Sequence, residues 1–180
     1  MAMPKAPQAF REPSISALTV VKGETERSGI DVLVVTSPSN VTYLSGYTSK
    51  SAYVPQGLIV SLKQEEPTFF TRRMDAPAAM HQMFIDTSRV IGYAEDLIVN
   101  PDRDGFDPII DFLHDNGLAG GGVGVEIKSI SAQTAEKFRA RMVNAKIVDF
   151  ANGVHQILGI KSDLEIALMR EAGPRMLMQA

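Results

Sequence analysis

The stretch GIDVLVVTSPSN, residues 29 to 40, constrains the fold more than any other. From Ile30 to Thr36 it is rich in β-branched residues, and apart from Asp31 it has no polar alternation. A strand here would present apolar side chains to both faces. Such a strand is stable only inside a sheet that is covered on both sides. Ser37-Pro38-Ser39 then turns the chain. A short helix follows to Leu44, with Ser39 or Asn40 able to cap it and Gly46 to end it.

The other segments can supply that sheet and its cover. Ile15, Leu18 and Val21 share one face of a helix expected from Ser14 to Ser28; Gly29 stops it, and Gly23 weakens it. Strands are expected over Gly57–Leu62 and Pro67–Thr71, with the polar KQEE between them forming a hairpin. Asp75 can cap a helix that has Pro77 in its first turn and runs through Met83. Further strands are expected over Arg89–Tyr93, Gly122–Ile127 and Lys146–Asp149. Helices are expected over Pro108–Asn116, Ser131–Met142 and Ala151–Leu158. This alternation predicts an α/β domain, a mixed β-sheet flanked by helices.

Residues 1 to 13 carry three prolines and read as an extended N-terminal arm. Residues 14 to 159 form the α/β domain. Residues 160 to 180 read as a linker and the start of a further helix. There Ser162 and Glu165 stand at capping-box spacing, and Asp163 suits the positive end of the helix dipole. Gly173-Pro174 is expected to interrupt that helix.

Composition removes several function classes. The 180 residues include no cysteine, which excludes disulfides, thiolate metal sites and a cysteine nucleophile. A net charge of −3 gives no reason to expect nucleic acid or an anionic membrane as a partner. No apolar run approaches the ~20 residues a bilayer requires, and the N-terminus lacks a signal-peptide core. We expect a soluble, cytoplasmic protein.

Catalytic signatures are equally sparse. His81, His114 and His155 stand apart, without the spacing of a metal face, and no G-x-S-x-G elbow occurs. GLAGGGVG, residues 117 to 124, lies between a helix and a strand, the reverse of a phosphate loop, and reads as a flexible turn. DRDGFD, residues 102 to 107, lacks the ligand spacing of a calcium loop and reads as a solvated one. Two stretches remain as candidates. One is the loop SNVTYLSGYTSKSAYVPQG, where Tyr43 and Leu44 are expected to anchor the helix, leaving Tyr47, Tyr53 and Gln56 freer to meet a ligand. The other is TRRMDAPAAMH, where Arg72 and Arg73 end a strand before Asp75. One arginine can pair with Asp75, while an unpaired one would make a carboxylate clamp.

Three stretches, in order, resemble the creatinase, prolidase and aminopeptidase P family: GIDVLVVTSPSNVTYLSGY, VGVEIKSISAQTAEKFR and IKSDLEIALMREAG. Within it, SAYVPQGLIV, TRRMDAPAA and RVIGYAED look most like ectoine hydrolases. Creatinases carry an aromatic-Gly-Arg where this chain has Tyr53-Val54-Pro55-Gln56. The resemblance implies the N-terminal domain of that family, with a ribonuclease H-like motif, in which the segment like Lys161 to Ala172 begins the first helix of a C-terminal catalytic domain. It implies no catalytic or metal-binding residue here, and no cofactor in this chain; a divalent metal, manganese or cobalt, would belong to that C-terminal catalytic domain. It further implies a homodimer in which this domain covers the partner's active site. Tyr53 and Gln56 are the first candidates for substrate contact, then Arg72, Arg73 and Asp75. A freestanding binding or dimerisation module, and a small α/β enzyme in its own right, are the alternatives.

Overall fold

The computed structural model describes residues 11–49, 51, 53–98 and 100–177. Six strands form one sheet in the order β4-β3-β2-β1-β5-β6. They are β1 (Val32–Val35), β2 (Gly57–Ser61), β3 (Thr68–Arg72), β4 (Val90–Tyr93), β5 (Gly122–Val125) and β6 (Lys146–Asp149). β2 pairs antiparallel with both β1 and β3, and the remaining pairings are parallel. The mixed sheet is as expected, and β2 is the strand that makes it mixed.

The run that fixed the fold class sits at the middle of the sheet, and all four β1 residues are buried. Its side chains divide between two cores. Leu33 and Val35 join Leu58, Val60 and Phe69 under α1 (Arg11–Arg27), α2 (Pro38–Ser45), α3 (Ala76–Gln82) and α6 (Gly153–Gly159). Val32 and Val34 join Ile59, Phe70, Val123 and Val125 under α4 (Phe106–Asp115) and α5 (Ala132–Arg141). Each fully buried aliphatic or aromatic side chain is worth about 1.5–3 kcal/mol, so the two layers together supply most of the cohesion. The last helix is α7 (Asp163–Leu177).

Several local expectations need correction. α1 begins at Arg11, so residues 11–13 belong to a helix; residues 1–10 of the expected arm lie outside the described residues. Pro13 falls in the first turn, where a missing N–H costs little. Neither Ser39 nor Asn40 caps α2: Ser37 holds that position without a side-chain bond, and Asn40 lies inside the helix, fully buried. α7 continues through Gly173 and Pro174 against the expected interruption, although an interior proline removes one N–H and its ring crowds the carbonyl four residues back.

The glycine-rich stretch is only partly free where a flexible turn was expected: a Cβ on Gly117 or Gly120 would meet nothing, whereas Gly121, Gly122 and Gly124 are closely packed. A Cβ on Gly122 would stand 1.9 Å from the carbonyl oxygen of Gly29. The close approach lets Asp31 accept from Gly122 N–H at 2.8 Å through its carboxylate and donate to the Gly122 carbonyl at 2.8 Å through its own N–H. Gly29 itself has a left-handed φ of 68° at the end of α1. The G-hydrophobic-D pattern is therefore a docking device that joins the start of β1 to the start of β5.

Candidate functional site

β1, β3, β4, β5 and β6 all run one way, so their carboxyl ends share an edge, and antiparallel β2 begins there. Loops on such an edge are held by a rigid sheet. The candidates in the β2 and β3 connections meet here because Gly57 pairs with Phe70, which sets Gln56 beside Thr71.

The preceding loop is pinned at both ends. α2 stops at Gly46, whose φ is 78°; a Cβ there would lie 2.6 Å from the Phe84 ring. Tyr47 then turns inward, 2% exposed, with its ring 5.0 Å from that of Phe69. It is thus less free than the sequence suggested, and only its hydroxyl is offered to the loop. At the far end Tyr93 donates its phenol hydrogen to the Pro55 carbonyl at 2.6 Å. Between these anchors the Gln56 amide donates to Thr71 Oγ1 at 3.2 Å and to the Tyr47 hydroxyl at 3.4 Å.

Arg72, the last residue of β3, presents its guanidinium to the same space. Nε and Nη2 donate to the two oxygens of Asp75 at 3.2 and 3.0 Å, a bidentate pair. Nη1 donates to the Tyr53 hydroxyl at 3.3 Å, and the guanidinium carbon lies 5.9 Å from the centroid of that ring. Asp75 accordingly stands at the N-cap of α3 without capping it through its side chain. Hydrogen bonding to Asp75 raises the pKa of Arg72 above its already high ordinary value. Burial first, and the negative charge of Asp75 second, push the phenols of Tyr47 and Tyr93 up.

Tyr47, Ser49, Ser51, Tyr53, Gln56, Arg72 and Asp75 line a recess of about 200 Å³. Four of the five predicted site residues, Tyr53, Gln56, Arg72 and Asp75, therefore meet. Arg73 does not join them: its side chain is exposed outside the recess, and its N–H donates to the Tyr93 carbonyl at 2.9 Å. The pairing of Arg72 with Asp75 also removes the free carboxylate clamp from the recess. What remains there is hydroxyls, an amide, an exposed aromatic face and the field of a carboxylate. These can orient and cover a small polar molecule. Sequence reading missed Ser49, Ser51 and Thr71, since isolated hydroxyl residues carry no spacing signal.

A second constellation closes the crevice between β1 and β5, where the chain leaves in opposite directions from adjacent strands. Glu126, 1% exposed, follows β5 and accepts from the N–H groups of Thr36 and Ser37, each at 2.7 Å. It also takes a short hydrogen bond from the Asn40 amide. Burial pushes the Glu126 carboxyl up, and the Ser37, Asn40 and Thr36 donors pull it back. The protein's own carboxylate thus occupies the helix N-terminus where α/β folds commonly bind anions.

The acidic stretch 102 to 107 is not simply solvated. Asp107, 5% exposed, accepts from Lys137 Nζ at 2.7 Å and from Arg141 Nη1 at 2.8 Å. Lys137 also pairs with Asp104 at 2.9 Å, so the cluster ties α4 to α5. The histidines are dispersed, as expected. His114 donates from Nε2 to the Arg141 carbonyl at 3.0 Å, and His155 Nδ1 lies 3.5 Å from the Asn40 amide. Among the described residues, no group of three His, Cys, Asp or Glu side chains could hold a metal ion. Nor is any described helix long and apolar enough to cross a membrane.

Comparison with known proteins gives a consistent family. The model for the creatinase/prolidase N-terminal domain matches residues 18–157. An uncharacterized hydrolase/peptidase of Sinorhizobium fredii is 52% identical over 170 residues, 93% of this chain and 44% of its own length. The ectoine hydrolase of Halomonas elongata is 34% identical over 166 residues, 91% of this chain and 41% of its own length. This chain therefore spans less than half of either relative. Among solved structures, a proline dipeptidase from Streptococcus pneumoniae superposes with a TM-score of 0.66 at 21% identity, covering 80% of this chain and 98% of that one. An X-Pro aminopeptidase from Thermotoga maritima gives 0.64 at 14% identity, covering 83% of this chain and 38% of that one. At those identities the superpositions speak for the fold alone.

Proposed function

Because the chain belongs to the creatinase/prolidase N-terminal domain family, we propose that it is the substrate-covering, accessory part of a hydrolase that cleaves a C–N bond. The parent would act on a cyclic amidine, as in an ectoine hydrolase, or on an Xaa-Pro peptide. The supporting observation is the recess on the carboxyl edge, where Tyr53, Gln56, Arg72 and Asp75 converge on about 200 Å³. Its groups suit covering and orientation: the Arg72–Asp75 pair is mutually saturated, and Tyr53 offers a broad exposed face. Excluding water above a reacting centre strengthens every electrostatic interaction beneath it.

In this reading the groups that make and break bonds, and a divalent metal such as manganese or cobalt, belong to a separate catalytic domain. The recess closes over that domain in a homodimer, and the site of action is the cytoplasm. A titration followed by amide NMR tests the covering role. Ectoine and an Xaa-Pro dipeptide are each added to the purified protein. Weak, saturable shifts of the Gln56 side-chain amide and the residues around Tyr53 are expected from one of them. Shifts confined to other surfaces, or none from either compound, would overturn it.

A further inference from the structure

We propose that the crevice between the carboxyl ends of β1 and β5 binds a small α-amino acid in its zwitterionic form, at a site separate from the recess beside β2 and β3. β1 leads to α2 on one face of the sheet and β5 to α5 on the other. Open α/β sheets commonly bind ligands where adjacent parallel strands send the chain opposite ways in this manner. A cleft of about 350 Å³ opens there, at the small end of the usual range for ligand sites. Among its lining side chains Glu126 is buried and forms the floor, while Lys128, Asn152 and His155 are exposed and form the mouth.

The two ends of the cleft carry opposite chemistry. At the floor, Glu126 Oε2 takes the N–H groups of Thr36 and Ser37, but Oε1 takes only the Asn40 amide. A carboxylate oxygen can accept from two donors, so Oε1 keeps one acceptor position. Asn40 is itself fully buried, and its carbonyl oxygen has no hydrogen-bond partner, although Glu126 and His155, which face its amide nitrogen, both line the cleft. Among the described residues no lysine or arginine forms an ion pair with Glu126. The floor is therefore short of donors and of positive charge. At the mouth the supply is reversed. Lys128 Nζ donates one proton to Asn152 Oδ1 at 3.1 Å, and an ammonium has two more to give. Asn40 Nδ2 can only donate to His155 Nδ1, at 3.5 Å, so the neutral ring carries its hydrogen on Nε2 as a further donor. An α-amino acid matches both ends, its ammonium donating to Glu126 Oε1 and its carboxylate accepting from Lys128 and His155. A simple anion would meet the charge of Glu126, and a simple cation that of Lys128, so neither alone fits. Ala151 is the only apolar residue of the lining, which suits a small side chain.

L-alanine, propionate and ethylamine separate the zwitterion from the anion and the cation. Each is titrated into the purified protein at neutral pH and followed by NMR through the His155 ring and the Asn40 and Asn152 side-chain amides. Alanine should give saturable shifts of these groups, and propionate and ethylamine should each bind weaker by about tenfold or more. Because Lys128 is exposed, Lys128→Ala should leave the circular dichroism spectrum unchanged and weaken alanine binding by about tenfold. Three results would overturn the site: no saturable shift with alanine, equal binding of propionate or ethylamine, or undiminished alanine binding in Lys128→Ala. None of these groups lines the recess, so the outcome at one place does not decide the other.

Discussion

Single residues report their burial and charge environment through their phenols. Tyr43, Tyr47 and Tyr93 are all held above the ordinary tyrosine range, Tyr43 at about 12, with burial the largest cause in each. Each folded pKa exceeds its unfolded value near 10, so the associated stability is complete below about pH 10 and is lost as pH rises through the folded value. An alkaline absorbance titration should show three delayed phenols that return to the ordinary range in denaturant. Asp75→Asn should make Tyr47 and Tyr93 ionise at lower pH than in the native protein, because the Asp75 charge raises both. An unchanged titration in that variant would contradict the placement of Asp75 between them. Tyr53 and Gln56 were visible in the sequence as polar members of a long loop. The saturation of Arg72 by Asp75 was one of two open readings, decided only by the three-dimensional distance.

At the level of elements, two buried carboxylates tie secondary structures together and behave oppositely with pH. Glu126 joins β5 to the β1–α2 turn. Glu126→Ala leaves two N–H groups and the Asn40 amide without their acceptor, so a loss of about 2–4 kcal/mol in urea unfolding is expected. Its folded pKa is raised, chiefly by burial, so its own contribution declines as pH rises through that value. Asp107 joins α4 to α5. Burial opposes its charge, but hydrogen bonding to Lys137 leads the effects that hold its pKa below the usual range. Its contribution is present above about pH 4 and is lost as pH falls through the folded value. Asp107→Asn should therefore cost roughly 1–3 kcal/mol at pH 7 and progressively less in acid; an equal cost at pH 2.5 would contradict the ion-pair account. The elements themselves were largely legible, because the β1 run and the helical spacings each reflect burial on a defined face. The network around Asp107 was not, since its partners lie about thirty positions away on another helix, beyond the reach of local pattern. The three family-like stretches are each weak alone and become specific only together and in order. The meeting of the first two on α2, Asn40 with Glu126, required the fold.

For the whole molecule, the account divides labour between a covering domain and chemistry located elsewhere. The fold places a polar recess on the carboxyl edge of a two-core α/β layer. In equilibrium sedimentation the homodimer proposal predicts a mass of twice 19.6 kDa at micromolar concentrations, and a monomer throughout that range would count against it. The covering role itself is most directly tested by turnover. The purified protein, with and without manganese or cobalt, is incubated with ectoine and with an Xaa-Pro dipeptide, and product is followed by mass spectrometry. The account predicts no product above the protein-free control under any of these conditions. Hydrolysis that scales with protein concentration and disappears on substitution of a residue in this chain would contradict it.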